Sequence, residues 1–239
     1  MSTTAITVEE ALRSLRVSRL THFTPAQSLF HILEDGMIRS SKDLADNAVG
    51  YFTPTDVERF DRQPEKVCCN FEYPNGYYLA HARQRPEFAN YPDWACLLLD
   101  IELVTKPGTL FCPCNAAKDF GSYTSPGGEA LLSCFAPVSQ PGGWTRGNRH
   151  HPGAATDLQA EALVPGPVDL SYLKGIVVAT DADAQQLYGV LSRFSLGPER
   201  FSWFSASAFF KRNLLSSSVR YGGTVVEKPW IAPVTEEAD

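Results

Sequence analysis

No apolar run in these 239 residues approaches the roughly 18 needed to cross a bilayer as a helix. The opening stretch, MSTTAITVEEALRSL, lacks both the cationic start and the apolar core of a secretory signal. A cytoplasmic protein with no membrane partner is the expectation, and its six cysteines should then be reduced thiols. Cys-x-x-Cys spacing is missing too. The close pairs are Cys68-Cys69 and Cys112-x-Cys114, neither of which suits a zinc knuckle, so no metal site is expected. Positive charge is short: 21 Lys and Arg stand against 27 Asp and Glu, a net −6. That argues against a broad electrostatic grip on nucleic acid while leaving room for a narrow basic groove. Local clusters occur at Arg83/Arg85, at Arg146/Arg149/His150/His151 and at Lys211/Arg212 with Arg220. Most such clusters are solvated surface. Internal repeats and dividing linkers are absent, and 44% hydrophobic content can bury a full core, so one domain over residues 1–239 is expected.

What the chain does contain is an acid in an unexpected place. In Thr156–Val164, TDLQAEALV, apolar residues alternate at Leu158, Ala160, Ala162 and Val164, the period of a β-strand. The other face would carry Asp157, Gln159 and Glu161. Carboxylates are depleted in strands and seldom buried unpaired, so Glu161 either lines a site or lies on the wet face of an edge strand.

Around it, residues 7–16 read as a short amphipathic helix and RLTHF as a strand. Thr24, Pro25, Gln27 and Gly36 then supply an N-cap, a first-turn proline, a capping-box partner and a terminating glycine for a second helix. Residues 40–66 are polar and aperiodic, a loop with a short helical piece. Val67–Phe71 is a strand, and Tyr77–Arg85 a helix with Asn75 at its N-cap. Ala95–Val104 is the most hydrophobic run and reads as a central strand. The Gly- and Pro-rich stretch 105–155 is the length of loop that usually serves function. Residues 174–180 form another strand, followed by a helix capped by Thr180 or Asp181, with Leu187, Val190, Leu191 and Phe194 on one face. The aromatic stretch Phe201–Phe210 should pack on the core, and 232–239 should be a frayed tail. Strands and helices mix without regular alternation, which indicates α+β.

Several segments together resemble the DarT family, toxins of the ADP-ribosyltransferase superfamily that modify bases in single-stranded DNA using NAD. The matching pieces are LTHFT at 20–24, Arg59-Phe60-Asp61, NFEYPNGYY at 70–78, LFCPCNAA at 110–117 and TDLQAEALV. They span about 20–165, roughly two-thirds of the chain. The resemblance implies an ADP-ribosyltransferase-like fold, two small antiparallel sheets enclosing an NAD cleft with helices outside. It implies NAD as co-substrate, single-stranded DNA as acceptor and a macrodomain-type antitoxin as partner. It makes Glu161 the catalytic acid, which gains attraction as positive charge develops at the ribose carbon that loses nicotinamide.

His22 is implied to grip NAD through a ring that offers one donor and one acceptor, against the alternative of a structural histidine. Thr24 is explained by capping alone, with any NAD contact additional. Arg59 is implied in catalysis and NAD binding, its planar fork matching two oxygens; the alternative is an ion pair with Asp56 or Asp61. Asn75 would orient the cofactor from a helix start, and Tyr77 would supply a stacking wall. For the DNA, Tyr123, Trp144, Arg146, Arg149, His150 and His151 are the candidates, rings for unstacked bases and arginines for phosphates. The modified base, thymine or guanine, stays open. So do an RNA, protein or free-nucleotide acceptor and, from another class, an idle binding module.

Overall fold

The computed structural model describes residues 5–47, 59–85 and 93–233. The helix expected near the N-terminus is α1 (Val8–Ser14), and it is capped as its sequence dictates. Thr7 Oγ1 accepts from Glu10 N at 3.1 Å while Glu10 Oε2 accepts from Thr7 N at 2.9 Å, so two otherwise orphaned amides are satisfied reciprocally. Then come β1 (Arg19–Pro25) and α2 (Ala26–Asp35). Here the expected cap fails. Thr24 stays in the strand opposite Ala95, Pro25 occupies the cap position without a side-chain bond, and Thr24 Oγ1 reaches only the Pro25 carbonyl at 3.4 Å. Ladder pairing takes Thr24's backbone before it can turn into a helix start. Gly36 does close α2, at φ 70°, the left-handed geometry a side chain resists.

β2 (Met37–Ile38) and α3 (Ser41–Asn47) lead into a segment whose next described stretch holds β3 (Lys66–Phe71) and α4 (Gly76–Ala82). β4 (Trp94–Asp100) is the hydrophobic run, but it stops short of Val104. Asp100 caps a 3-10 turn over Ile101–Thr105 by accepting from Glu102 N at 2.9 Å. β5 (Leu110–Cys112), β6 (Ser125–Pro126) and α5 (Gly128–Ser133) punctuate the long loop region. β7 (Glu161–Pro165) is shorter than the expected strand. Thr156–Ala160 instead turns, with Gln159 N donating to Asp157 Oδ1 at 3.0 Å and Ala160 N to the Asp157 carbonyl at 2.9 Å. Leu158, Ala160, Ala162 and Val164 are all buried as the alternation requires, yet so are Asp157 and Leu163, because both faces are covered.

β8 (Val168–Asp169), β9 (Leu173–Val178), α6 (Asp181–Arg193), β10 (Ser202–Ser205), α7 (Arg212–Tyr221) and β11 (Lys228–Trp230) complete the chain. Thr180 caps α6 in a second reciprocal box with Asp183. Residues 232 and 233 carry no regular structure, and the rest of the expected tail lies outside the described residues.

The mixed α+β class is as expected, but the sheets are not two small ones. A single nine-stranded sheet runs β11-β10-β9-β4-β1-β3-β7-β5-β6, antiparallel except for β9 with β10, and β2 pairs separately with β8. The physical reason is a narrow seam. β1 pairs with β4 along its full length, from Arg19–Asp100 to Pro25–Trp94, whereas it pairs with β3 only at Leu20–Phe71 and Thr21–Asn70. Those two pairs join what would otherwise be two sheets, and beyond Thr21 the strands part. On one face Leu20, Leu97, Leu99 and Ile176 pack with Leu29, Leu131 and Leu191 of the overlying helices. On the other, Phe23, Cys96, Leu98 and Val177 meet Leu79 of α4, Leu215 of α7 and Phe209. Each such side chain contributes roughly 1.5–3 kcal/mol by leaving water.

Candidate active site

The parting of β1 from β3 opens a cavity of about 810 Å³, within the roughly 300–1,000 Å³ usual for small-molecule sites. His22, Thr24, Arg59, Asn75, Tyr77 and Glu161 all line it. The sequence-based cofactor and catalytic candidates therefore converge, though they come from four separate segments. Asp61, Asn70, Tyr78, Asn115 and Gln159 line it too.

Glu161 begins β7, flanked in register by Asn70 of β3 and Cys112 of β5. Its backbone is thus gripped on both sides, and Asn70 Nδ2 donates to the Ala160 carbonyl just before it, at 2.9 Å. The side chain is half-buried. Its charge is felt locally: burial first, and the Glu161 carboxylate second, push the Cys69 thiol up to about 12 and Cys68 well above the usual thiol range. Cys112 Sγ and Cys114 Sγ sit 3.7 Å apart as free thiols.

His22 lies at the parting itself. Nδ1 is 2.8 Å from the Cys68 carbonyl. A carbonyl can only accept, so Nδ1 carries the proton and Nε2 keeps its lone pair. Burial lowers the imidazole's pKa more than this bond raises it, so the ring is neutral near pH 7. Nδ1 thus ties β1 to β3, as the structural alternative requires, while the ring also lines the cavity.

Arg59 is bound by its neighbours. It donates to both Asp61 oxygens at 3.0 and 2.7 Å, to Ser41 Oγ at 2.8 Å, to the Lys66 carbonyl at 3.0 Å, and to the Gln63 carbonyl. The predicted pair with Asp61 is present; Asp56 lies outside the described residues. Asp61 is buried and escapes the cost of an unpaired charge through that fork. The sequence pointed to Asp61 as a partner for Arg59 but gave it no place among the lining residues, where the structure puts it.

Asn75 caps α4, accepting from Tyr77 N at 3.1 Å and Tyr78 N at 3.0 Å. It uses up two of the amides that an anionic ligand would have met. Tyr77 faces the cavity with Arg212 over its ring at 5.6 Å and its hydroxyl 3.3 Å from Ser216 Oγ. Tyr73 packs in the core against His151 and Phe209. Among the described residues, lining cations Arg39, Arg59, Lys66 and Arg85 equal lining acids Glu34, Asp35, Asp61 and Glu161, four and four. The net −6 of the chain is thus not repeated among the described lining residues.

A family model described as ssDNA thymidine ADP-ribosyltransferase, DarT, matches residues 21–210, most of the chain. The chain belongs to the DarT family. Solved DarT structures share its fold. The chain is similar to Thermosipho africanus DarTG in complex with ADP-ribose (TM-score 0.56, 18% identity), with 81% of this chain and 51% of that one covered. It therefore spans about half the length of that DarTG chain. It is also similar to Thermus sp. 2.9 DarT in complex with NAD+ (TM-score 0.50, 15% identity, 75% and 91% covered). A third similarity is to the same DarT with ADP-ribosylated ssDNA (TM-score 0.51, 14% identity, 74% and 89% covered). Comparison with the curated proteins gives no match.

In this DarT-family chain the six DNA candidates do not line the cavity. Arg146 donates to the carbonyls of Ala154, His151 and Pro152 at 2.7–3.0 Å. His150 is buried with Nε2 3.0 Å from the Ala155 carbonyl, and His151 N donates to Val219 of α7. Trp144 and the exposed Arg149 keep open surface, Trp144 beneath Arg220 at 4.0 Å. Tyr123 donates to Asp119 Oδ2 at 2.8 Å. Among the described residues no cluster could hold a metal ion, and no helix is long and apolar enough to cross a membrane.

Proposed function

We propose that this chain transfers ADP-ribose from NAD to thymine in single-stranded DNA, with Glu161 as the catalytic carboxylate. The observation that carries the reading is the convergence of Glu161 and neutral His22 on one cavity at the strand parting, in a chain of the DarT family. The residues present fit NAD: an acceptor nitrogen on His22, amide and ring surfaces on Asn75 and Tyr77, and the positive charge of Lys66 and of the Asp61-paired Arg59 beside a pyrophosphate. NAD supplies a ribose carbon that becomes positive as its bond to nicotinamide breaks.

Glu161 stabilises that charge from a position held on both sides by β-pairing, so little reorganisation is needed as the charge forms. His22 Nε2 accepts a hydrogen bond from a ribose hydroxyl or the carboxamide. Thr24 shapes the wall beside it. Arg59, fixed by Asp61, sets the edge of the site and offsets nearby negative charge. Thymine's ring N–H is the nucleophile: the new bond forms from that nitrogen to the ribose carbon, nicotinamide leaves, and the displaced proton is released. Trp144 and Arg149, which retain open surface, are proposed to steady the strand farther from the reaction.

The similarity to a DarTG extends the reading to a toxin opposed by a macrodomain-type antitoxin that removes the modification. The test is incubation with labelled NAD and separate pools of single-stranded DNA, RNA and protein. Label confined to thymine-containing DNA is the expected result. Label in another pool, or on thymine-free oligonucleotides alone, overturns the acceptor, and no label from folded protein overturns the transferase.

A further inference from the structure

We propose that Phe60 and Phe120, with Arg62, form a stacking platform for an unpaired base of the DNA strand at the cavity mouth. The inference rests on the DNA-directed reading above and adds a surface where the strand is held. Two turns build it. Phe60 lies between Arg59 and Asp61 and lines the cavity with them and with Glu161. Phe120 lies in the 3-10 segment Lys118–Gly121, just after Asn115 and Ala117, which line the same cavity. The two rings meet edge-on, with centroids 6.0 Å apart and planes at 72°. They remain 44% and 58% exposed. The guanidinium of Arg62, itself exposed, lies 5.3 Å from the Phe120 centroid.

The turns are locked together. A Cβ on Gly121 would come within 2.5 Å of the Asp61 carbonyl, so only glycine allows the approach. Tyr123 fixes Asp119, the residue beside Phe120. Tyr123 thus supports the platform rather than serving as one. Four of the six non-glycine residues with positive φ among the described residues fall in these turns: Arg59, Arg62, Asp119 and Phe120. A bulky residue such as phenylalanine is rarely held there, and the conformation turns its ring outward instead of into the core.

The occupant follows from size and charge. The face of one ring is about the size of a base, the other ring stands at 72° to it as a side wall, and the exposed guanidinium suits the adjoining phosphate. In a duplex both faces of each base are covered by neighbours. An aromatic platform therefore selects single strands without reading sequence.

The experiment is fluorescence anisotropy with a labelled single-stranded oligonucleotide, beside calorimetric titration with NAD. Phe120→Ala should weaken DNA binding roughly tenfold, the scale of one lost base stack, and Phe120→Trp should restore it. Arg62→Ala should lower the slope of log affinity against log salt by about 0.7, one phosphate contact. NAD binding should match wild type in all three. The platform is refuted if Phe120→Ala binds DNA as wild type does, or if the tryptophan variant fails to rescue. Wild-type protein that labels DNA while Phe120→Ala labels it equally well refutes the platform alone. Wild type that neither binds nor labels single-stranded DNA refutes the functional reading and the platform with it.

Discussion

At the scale of single residues, the site divides its work between an acceptor that stays neutral and an acid that stays anchored. Glu161→Gln keeps the size of the side chain and removes the charge proposed to meet the developing cation. DNA labelling should fall about 10²–10³-fold while NAD affinity changes little, measured by steady-state labelling beside calorimetry. Labelling at near wild-type rate would dismiss the electrostatic role. A second residue-scale effect concerns pH. Burial first, then the Arg146 charge, hold the His150 imidazole down to about 4. An unfolded histidine takes its proton near pH 6.5, so between those values the unfolded chain binds more protons than the folded one. Stability should therefore decline as pH falls below about 6.5, by up to about 3 kcal/mol from this residue. The lowered His22 pKa acts in the same direction. Thermal melting at pH 7 and pH 5 should show the loss, and His150→Gln should reduce it.

At the scale of elements, the turn from Arg59 to Lys66 is held by the Arg59–Asp61 ion pair and by Arg59's bonds to the Gln63 and Lys66 carbonyls. Removing the arginine leaves Asp61 buried and uncompensated. Arg59→Leu should cost about 3–5 kcal/mol in urea unfolding and loosen the wall around the cavity. An unfolding curve unchanged from wild type would show that Asp61 finds another partner. Helix α6 gives a milder case. Thr180→Ala removes one half of its capping box and should cost about 1 kcal/mol, with the site's labelling rate unchanged.

At the scale of the whole molecule, the cavity exists because two halves of one sheet are joined by two residue pairs and then diverge. A ligand bound between them ties the halves together and binds only the folded chain. NAD at about 100 times its dissociation constant should stabilise the fold by about 2.7 kcal/mol, read as a rise in melting temperature. Glu161→Gln should keep this shift, since it removes transition-state stabilisation rather than ground-state contact. A shift absent from wild type would place NAD elsewhere.

Local chemistry explains what could be read along the chain. The Thr7–Glu10 box, the left-handed Gly36, the Asn75 cap and the Thr180 cap each depend on residues within four positions, so sequence alone specified them. So did the motifs that identify the family and single out Glu161, His22, Arg59, Asn75 and Tyr77. Other features depended on partners far away. Thr24 remained in a strand because β4 pairs with it, and Asp157 left the wet face because a turn and helix α7 cover it. The candidate DNA loop turned its Arg146 and His150 toward backbone carbonyls created only by its own folding. Sequence determined which side chains could do the chemistry. Tertiary structure decided that two sheet halves join at a seam, that His22 commits Nδ1 to the Cys68 carbonyl, and which aromatic rings remain outside. Those outcomes follow from hydrogen bonds and close contacts between segments tens of residues apart, which no local pattern encodes.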